Sequence, residues 1–277
     1  MNSLPAIAIL IIGAAAASAE STTEELARQV TNAYEPWKDC GPGSWFQLRT
    51  RSKTGDTEST SEIRQTLISR DEKEVKIETR DVKRVKDADG KVTQQMGEPH
   101  TTISPVGSMG VRLEDVKELE GETINAGERT FICRVIQAKC VYRFPEPLMG
   151  KSEYTWKSKM WISNQVQEMG GLVKAETDIE QQGQMLCPTA ADLTLVESGK
   201  VVMVGERKFR CSIYRSGQVS GKKEENPTSG ECWTSSESPL GYVRATYNIR
   251  LNMGGMKSTT VVETEITGLE IVAPKKD

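Results

Sequence analysis

Gly127-Glu128-Arg129-Thr130-Phe131-Ile132-Cys133 returns 78 residues further along the chain as Gly205-Glu206-Arg207-Lys208-Phe209-Arg210-Cys211. At the same offset Gly121 matches Gly199 and Val135 matches Ile213. Further on, Trp161 and Ser163 answer to Trp233 and Ser235, and Gly171-Leu172-Val173-Lys174-Ala175 to Gly241-Tyr242-Val243-Arg244-Ala245. Matches that keep their order over so long a stretch read as a tandem duplication. Each unit runs strand, glycine-centred turn, strand, variable loop, Trp-bearing strand, turn and long alternating strand.

The period between the turns is two. Val243, Ala245, Tyr247, Ile249, Leu251 and Met253 alternate with Arg244, Thr246, Asn248, Arg250 and Asn252. One dry and one wet face is the signature of an antiparallel sheet, because parallel sheets are covered on both sides. Upstream, Ile63, Gln65 and Leu67 alternate in the same way, as do Val75, Ile77 and Thr79. Thr54-Gly55-Asp56 and Asp87-Ala88-Asp89-Gly90 supply the turn residues that tolerate positive φ. The expected fold is therefore mainly β, an α+β chain of curved antiparallel sheet built from meander repeats behind a short N-terminal helix.

That helix is signalled by Thr22-Thr23-Glu24-Glu25, a capping box, followed by Leu26, Val30, Ala33 and Tyr34 on one face and stopped by Pro36. Before it, Leu4 through Ala19 carry no charge and end in Ala17-Ser18-Ala19, the small-residue pattern a signal peptidase accepts. The apolar run is shorter than the about 20 residues a membrane span needs. The expected organisation is a signal peptide over 1–19, a helix over 20–38, a β segment over 39–111 and β repeats over 112–188 and 189–274. The mature chain is expected to be exported, periplasmic or secreted, and not membrane-spanning.

With 36 basic and 39 acidic residues the chain carries a net charge of −3, so no nucleic-acid partner is expected. Export permits disulfides among Cys40, Cys133, Cys140, Cys187, Cys211 and Cys232. Cys211 and Cys232 are expected to staple a hairpin across the polar loop from Gly221 to Gly230. Cys40 with Cys187, and Cys133 with Cys140, are further candidates. The second pair is seven apart, which requires a turn or bulge between them.

Catalytic sets are missing. His100 is the one histidine, which rules out a multi-histidine zinc site, and no Gly-x-Ser-x-Gly elbow accompanies it. Asp87-x-Asp89-Gly90 begins like a calcium loop, with Glu98 at position 12, but its glycine comes two residues early, so it reads as a β-turn. No enzyme activity and no cofactor are expected. Trp161 and Trp233, with Trp45, are the candidates to line an apolar pocket, although Trp in an alternating strand is more often core.

The motif set Gly-x-x-x-Phe-x-Cys, Trp-x-Ser and Gly-[LY]-Val-[KR]-Ala resembles uncharacterised exported bacterial β-repeat proteins. Those are similar in strand pattern to the periplasmic lipoprotein carriers of the LolA and LppX type. The resemblance covers residues 115–272 and implies a curved antiparallel sheet around an apolar cavity, holding an apolar small molecule or lipid. This chain departs from the carriers by its duplication and its cysteines, and none of their lipid-contacting residues can be matched here. The alternative is a structural or protein-interaction module of the cell envelope, meeting an envelope protein through exposed strand faces or an edge strand.

Overall fold

The glycine turns act as hinges between long strands. In the computed structural model, which describes residues 22–23, 25, 37–86, 92–105, 111–148, 151–166, 168–178, 191–218, 229–253 and 256–274, Gly127 and Gly205 sit at φ 60° and 59°. That left-handed backbone suits glycine, which has no Cβ to clash. The strands are β1 (Trp45–Thr54), β2 (Thr57–Arg70), β3 (Glu74–Lys86), β4 (Val92–Met96), β5 (His100–Pro105), β6 (Val111–Ala126) and β7 (Arg129–Leu148). They continue as β8 (Lys151–Ile162), β9 (Leu172–Asp178), β10 (Ala191–Val204), β11 (Arg207–Gln218), β12 (Ser229–Thr234), β13 (Tyr242–Met253) and β14 (Met256–Glu270).

These strands make one antiparallel sheet, in the order β4-β3-β2-β1-β14-β13-β12-β11-β10-β9-β8-β7-β6, with β5 beside β3. Neighbours in space are neighbours in sequence except at two places. β5 lies against β3 rather than β4, and β1 pairs with β14, Trp45 opposite Glu270, which joins the N-terminal meander to the last strand. The sheet is open, with β4 and β5 at one edge and β6 at the other. Of the expected N-terminal helix, the capping box is described: Glu25 accepts from the Thr22 amide at 2.9 Å, and Thr22 Oγ1 accepts from the Glu25 amide at 3.2 Å. The rest of that helix and the signal segment 1–19 lie outside the described residues.

The sheet bends back on itself. Leu67 of β2 and Val75 of β3 share a core with Phe209 and Cys211 of β11, together with Trp37, Phe46, Val243 and Ile266. Arg70 at the end of β2 and Arg207 at the start of β11 both act on the Cys40 thiol, although β2 and β11 are five strand steps apart, about 24 Å across a flat sheet. The chain also passes from the end of β5 to the start of β6, opposite edges, in six Cα steps, at most about 23 Å. A flat sheet would separate those edges by about 58 Å.

Beyond the flanking strands, two hairpin ends run on as two-stranded ribbons. β9 pairs with β10 only at Leu193 and Thr194, and β12 pairs with β11 from Ser212 on, so residues 199–210 form a ribbon that runs past both neighbouring strands. Its inner face supplies Phe209 and Cys211 to the core just described. The β6–β7 ribbon does the same with Phe131 and Cys133 in a second core, among Val135, Met160, Trp161, Leu172, Leu195 and Tyr214. The two ribbons agree in detail. Each has a register shift at the same offset, Leu119/Glu122 and Glu197/Lys200. Each stacks an arginine on its phenylalanine, Arg129 on Phe131 at 5.0 Å and Arg207 on Phe209 at 5.5 Å. The closing turns match as well, with Ser163 and Ser235 amides donating to Gly171 and Gly241 carbonyls.

Under β1–β3 lies a charged tie. The Glu62 side chain is 6% exposed and accepts from Arg49, from Arg84 at 3.0 Å and from Gln47 at 3.0 Å. Burial alone would raise its pKa, but the hydrogen bonds from Arg49 and Arg84 outweigh it and hold the carboxylate below its ordinary range.

Replacing Glu62 with Gln leaves two guanidiniums short of a partner and should cost about 2 kcal/mol in urea unfolding at neutral pH. Because the folded pKa lies below the unfolded one, the wild-type contribution is complete above about pH 4.3. It fades as pH falls through the folded value. The gap between wild type and Glu62→Gln should therefore close in acid. A second comparison separates the two turns. Gly205→Ala pays only the left-handed backbone, about 1–2 kcal/mol, with open space around it. Gly127→Ala should cost more, because its Cβ would stand 2.1 Å from the Val196 carbonyl oxygen.

Candidate binding surface

The tryptophans singled out from sequence are enclosed by their own chain. Trp161 is 2% exposed. Its indole N–H donates to Glu122 at 2.9 Å, and Lys159 and Lys174 lie over the ring at 4.5 and 4.7 Å. Hydrogen bonds from Lys159 and then Trp161 hold Glu122 below the usual carboxylate range. Trp233 is half-buried, donates to Glu231 at 2.8 Å and carries Lys200 over its ring at 4.9 Å. Trp45 repeats the arrangement, with Glu270 on its N–H at 2.9 Å and Arg64 at 3.7 Å from the ring centre. A cation over the face and a carboxylate on the N–H satisfy an indole that must sit at a wet boundary.

The described cysteines do not staple one another. No two described cysteines lie at bonding distance. The expected Cys211–Cys232 bridge fails on register. Cys232 stands directly opposite Tyr214, three residues beyond Cys211, and an odd separation on a strand reverses the face. Cys211 packs with Phe209, its thiol donating to the Phe209 carbonyl at 3.9 Å. Cys232 packs with Tyr214 and Tyr247. The Cys133–Cys140 pairing fails in the same way. The β7 ladder runs without a shift from Arg134 to Arg143, and the two thiols point to opposite faces. Cys187 lies outside the described residues, so the Cys40–Cys187 pairing falls there too.

Burial raises these thiols above their ordinary range. Cys133 is pushed up to about 11 by burial and then by Glu122, and Cys140 to about 12 by burial. Cys232 and Cys40 move in the same direction for the same first reason. Thiols that stay protonated are poor nucleophiles.

His100 is exposed at the start of β5, opposite Thr79. Asp87, Asp89 and Gly90 lie outside the described residues. Among the described residues no three metal-ligating side chains gather, and no helix is long and apolar enough to cross a membrane.

Surface chemistry collects instead on the outward face of the β10–β11 ribbon, which the sequence reading passed over. Val201 is 59% and Met203 52% exposed. Directly across stand Arg210, opposite Val201, and Lys208, opposite Met203. Neither cation makes an ion pair among the described residues, whereas the acidic β6 edge is neutralised locally by Arg134 on Glu118 and Lys139 on Glu114. The only sequence signal was the alternation of the ribbon's outward positions, which places Val201, Met203, Lys208 and Arg210 on one side.

No protein-family model matches the chain, and no curated protein does either. Among solved structures, the crystal structure of MucB in complex with MucA(peri) matches at 11% identity over 80% of this chain and 88% of that one, with a TM-score of 0.14. A score that low relates neither fold nor function.

Thiol labelling gives a direct check on the corrected cysteines. In the folded protein Cys133, Cys140, Cys211 and Cys232 should resist a maleimide, and all four should label in guanidinium without added reductant. If Cys211 and Cys232 label only after reduction, the register above is wrong.

Proposed function

We propose that the chain is an exported, non-enzymatic binding module that meets its partner on the outside of the sheet. The observation that carries this is the state of the inward faces. Phe46, Leu67, Phe131, Val135, Met160, Leu172, Leu195, Phe209 and Tyr214 are all at most 1% exposed and packed in two shared cores. Side chains that fill the concave space leave the exposed strand faces and edges for recognition. The absence of enzyme activity stays part of this proposal, supported by thiols that burial raises and by Glu62 and Glu122, which hydrogen bonds from basic side chains hold low.

A second reading, an apolar small molecule or lipid held inside, is favoured by one atom. The Tyr247 hydroxyl is buried in an apolar core with no nitrogen or oxygen partner, and only the Cys232 thiol, a weak hydrogen-bonding group, stands beside it. A thiol offsets only part of the about 1–3 kcal/mol that an unsatisfied buried hydroxyl costs, and a bound polar group would relieve the rest.

The two readings part in native mass spectrometry of protein exported with its own leader. On the first reading the chain flies at its polypeptide mass, and Trp161→Ala loses about 3–5 kcal/mol of stability as a core truncation. A stoichiometric apolar adduct that Tyr247→Phe weakens would instead establish the second.

A further inference from the structure

The two ribbons are alike inside and unlike outside. Phe131 and Cys133 have their counterparts in Phe209 and Cys211, and all four are buried. The outward positions change completely: Thr123 becomes Val201, Asn125 becomes Met203, Thr130 becomes Lys208 and Ile132 becomes Arg210. The second ribbon thus loses the exposed Ile132 and gains two cations with two apolar side chains opposite them on one face.

Its setting is also different. The first ribbon's turn is pressed against β10, with Gly127 under the Val196 carbonyl and Arg129 donating to Ser198 at 3.0 Å. The second ribbon has open space at both Gly199 and Gly205. Both its edges run past the neighbouring strands, while its inner face is anchored through Val204, Phe209 and Cys211. It is a fixed finger with a free outer side.

We propose that this outer side docks on an anionic phospholipid surface. Val201 and Met203 supply apolar side chains that can enter the boundary between headgroups and acyl chains, and Lys208 and Arg210 meet the lipid phosphates beside them. Apolar depth flanked by cations is the chemistry of interfacial binding. Size argues against a protein partner on this face. Four side chains on a two-stranded ribbon fall well short of the roughly 800 Å² per partner that a stable protein interface buries. The proposal does not depend on whether the core holds a ligand.

The test is flotation of the mature full-length chain with vesicles of phosphatidylglycerol and phosphatidylcholine, against vesicles of phosphatidylcholine alone. Binding is expected on the anionic vesicles only, and should weaken as salt is raised. K208E/R210E should lower the partition by about 30-fold or more, since each cation near an anionic surface is worth about fivefold. V201S/M203S should lower it as well. T130E/I132E, at the matching positions of the first ribbon, should leave it unchanged. All four outward positions are exposed, and near-ultraviolet circular dichroism confirms that each variant keeps its packing. The proposal is overturned if the parent protein ignores anionic vesicles, if K208E/R210E binds them equally, or if neutral vesicles bind as well. A concentration-dependent dimer that K208E/R210E abolishes, without vesicle binding, would assign the face to a second copy and also overturn it.

Discussion

A sheet of fourteen strands with no helical layer over its described faces has to dry those faces on itself, and everything else in the molecule follows from that. A flat antiparallel sheet can leave one side wet, but this one carries buried residues of both parities. In β11, Phe209 and Cys211 are buried in one register and Ser212 and Tyr214 in the other. In β7, Phe131, Cys133 and Val135 give way to Ile136, Ala138 and Cys140. The apolar burial changes register at Val135/Ile136 and at Ile213/Tyr214, equivalent places in the two units. Ribbon and sheet body therefore bury opposite faces of the same strands, and each ribbon closes a core that its own unit cannot close with strands alone.

Folding over in this way creates a second demand, since the outward faces and the edges must stay polar and unattractive to stray strands. The two edges meet it by different means. β6 carries alternating charges and two register shifts, with Asp115 at φ 51°. The β4/β5 edge is cut short at Gly97, whose amide donates to the Asp81 carbonyl, and ends in Pro105, which has no amide to offer. Charges, bulges, breaks and proline are the devices that keep edge strands from pairing with a neighbour. The Glu62 tie belongs to the same economy, because one carboxylate on β2 partners Arg49 of β1 and Arg84 of β3.

Much of this architecture was legible because it is local. Positive-φ glycines at 127 and 205, the alternation in Val243–Met253 and the paired motifs are written residue by residue. What escaped depends on parity and on distant pairing. The hairpin staple failed because reading Cys211 and Cys232 as partners assumed they faced each other, whereas the ladder sets Cys232 against Tyr214. A shift of one residue reverses every face, and nothing in the loop between those strands fixes the register in advance. The β1–β14 junction escaped for another reason: its partners are more than two hundred residues apart and carry no turn between them. Trp161 is buried while Trp45 and Trp233 are half-buried; Lys159 and Glu231 lie on the same strand as their tryptophan, but Glu122, Lys174, Lys200, Arg64 and Glu270 come from other strands.

Divergence between the two ribbons then says where selection had room to act. A buried Phe-x-Cys pair is constrained by packing, where even a methylene is felt, and it reads the same in both. Glu122 and Lys200 occupy one offset position near the unit's tryptophan, yet the first accepts the Trp161 N–H and the second lies over the Trp233 ring. The indole tolerates either solution because its face attracts a cation and its edge donates a proton. Outward positions face neither constraint, so the change there from Thr123, Asn125, Thr130 and Ile132 to Val201, Met203, Lys208 and Arg210 was not forced by the fold. An exposed Val and Met cost solubility and bring the cores nothing. Their place opposite two cations without ion pairs, on the ribbon with open space at both its glycines, calls for a binding explanation that packing does not supply.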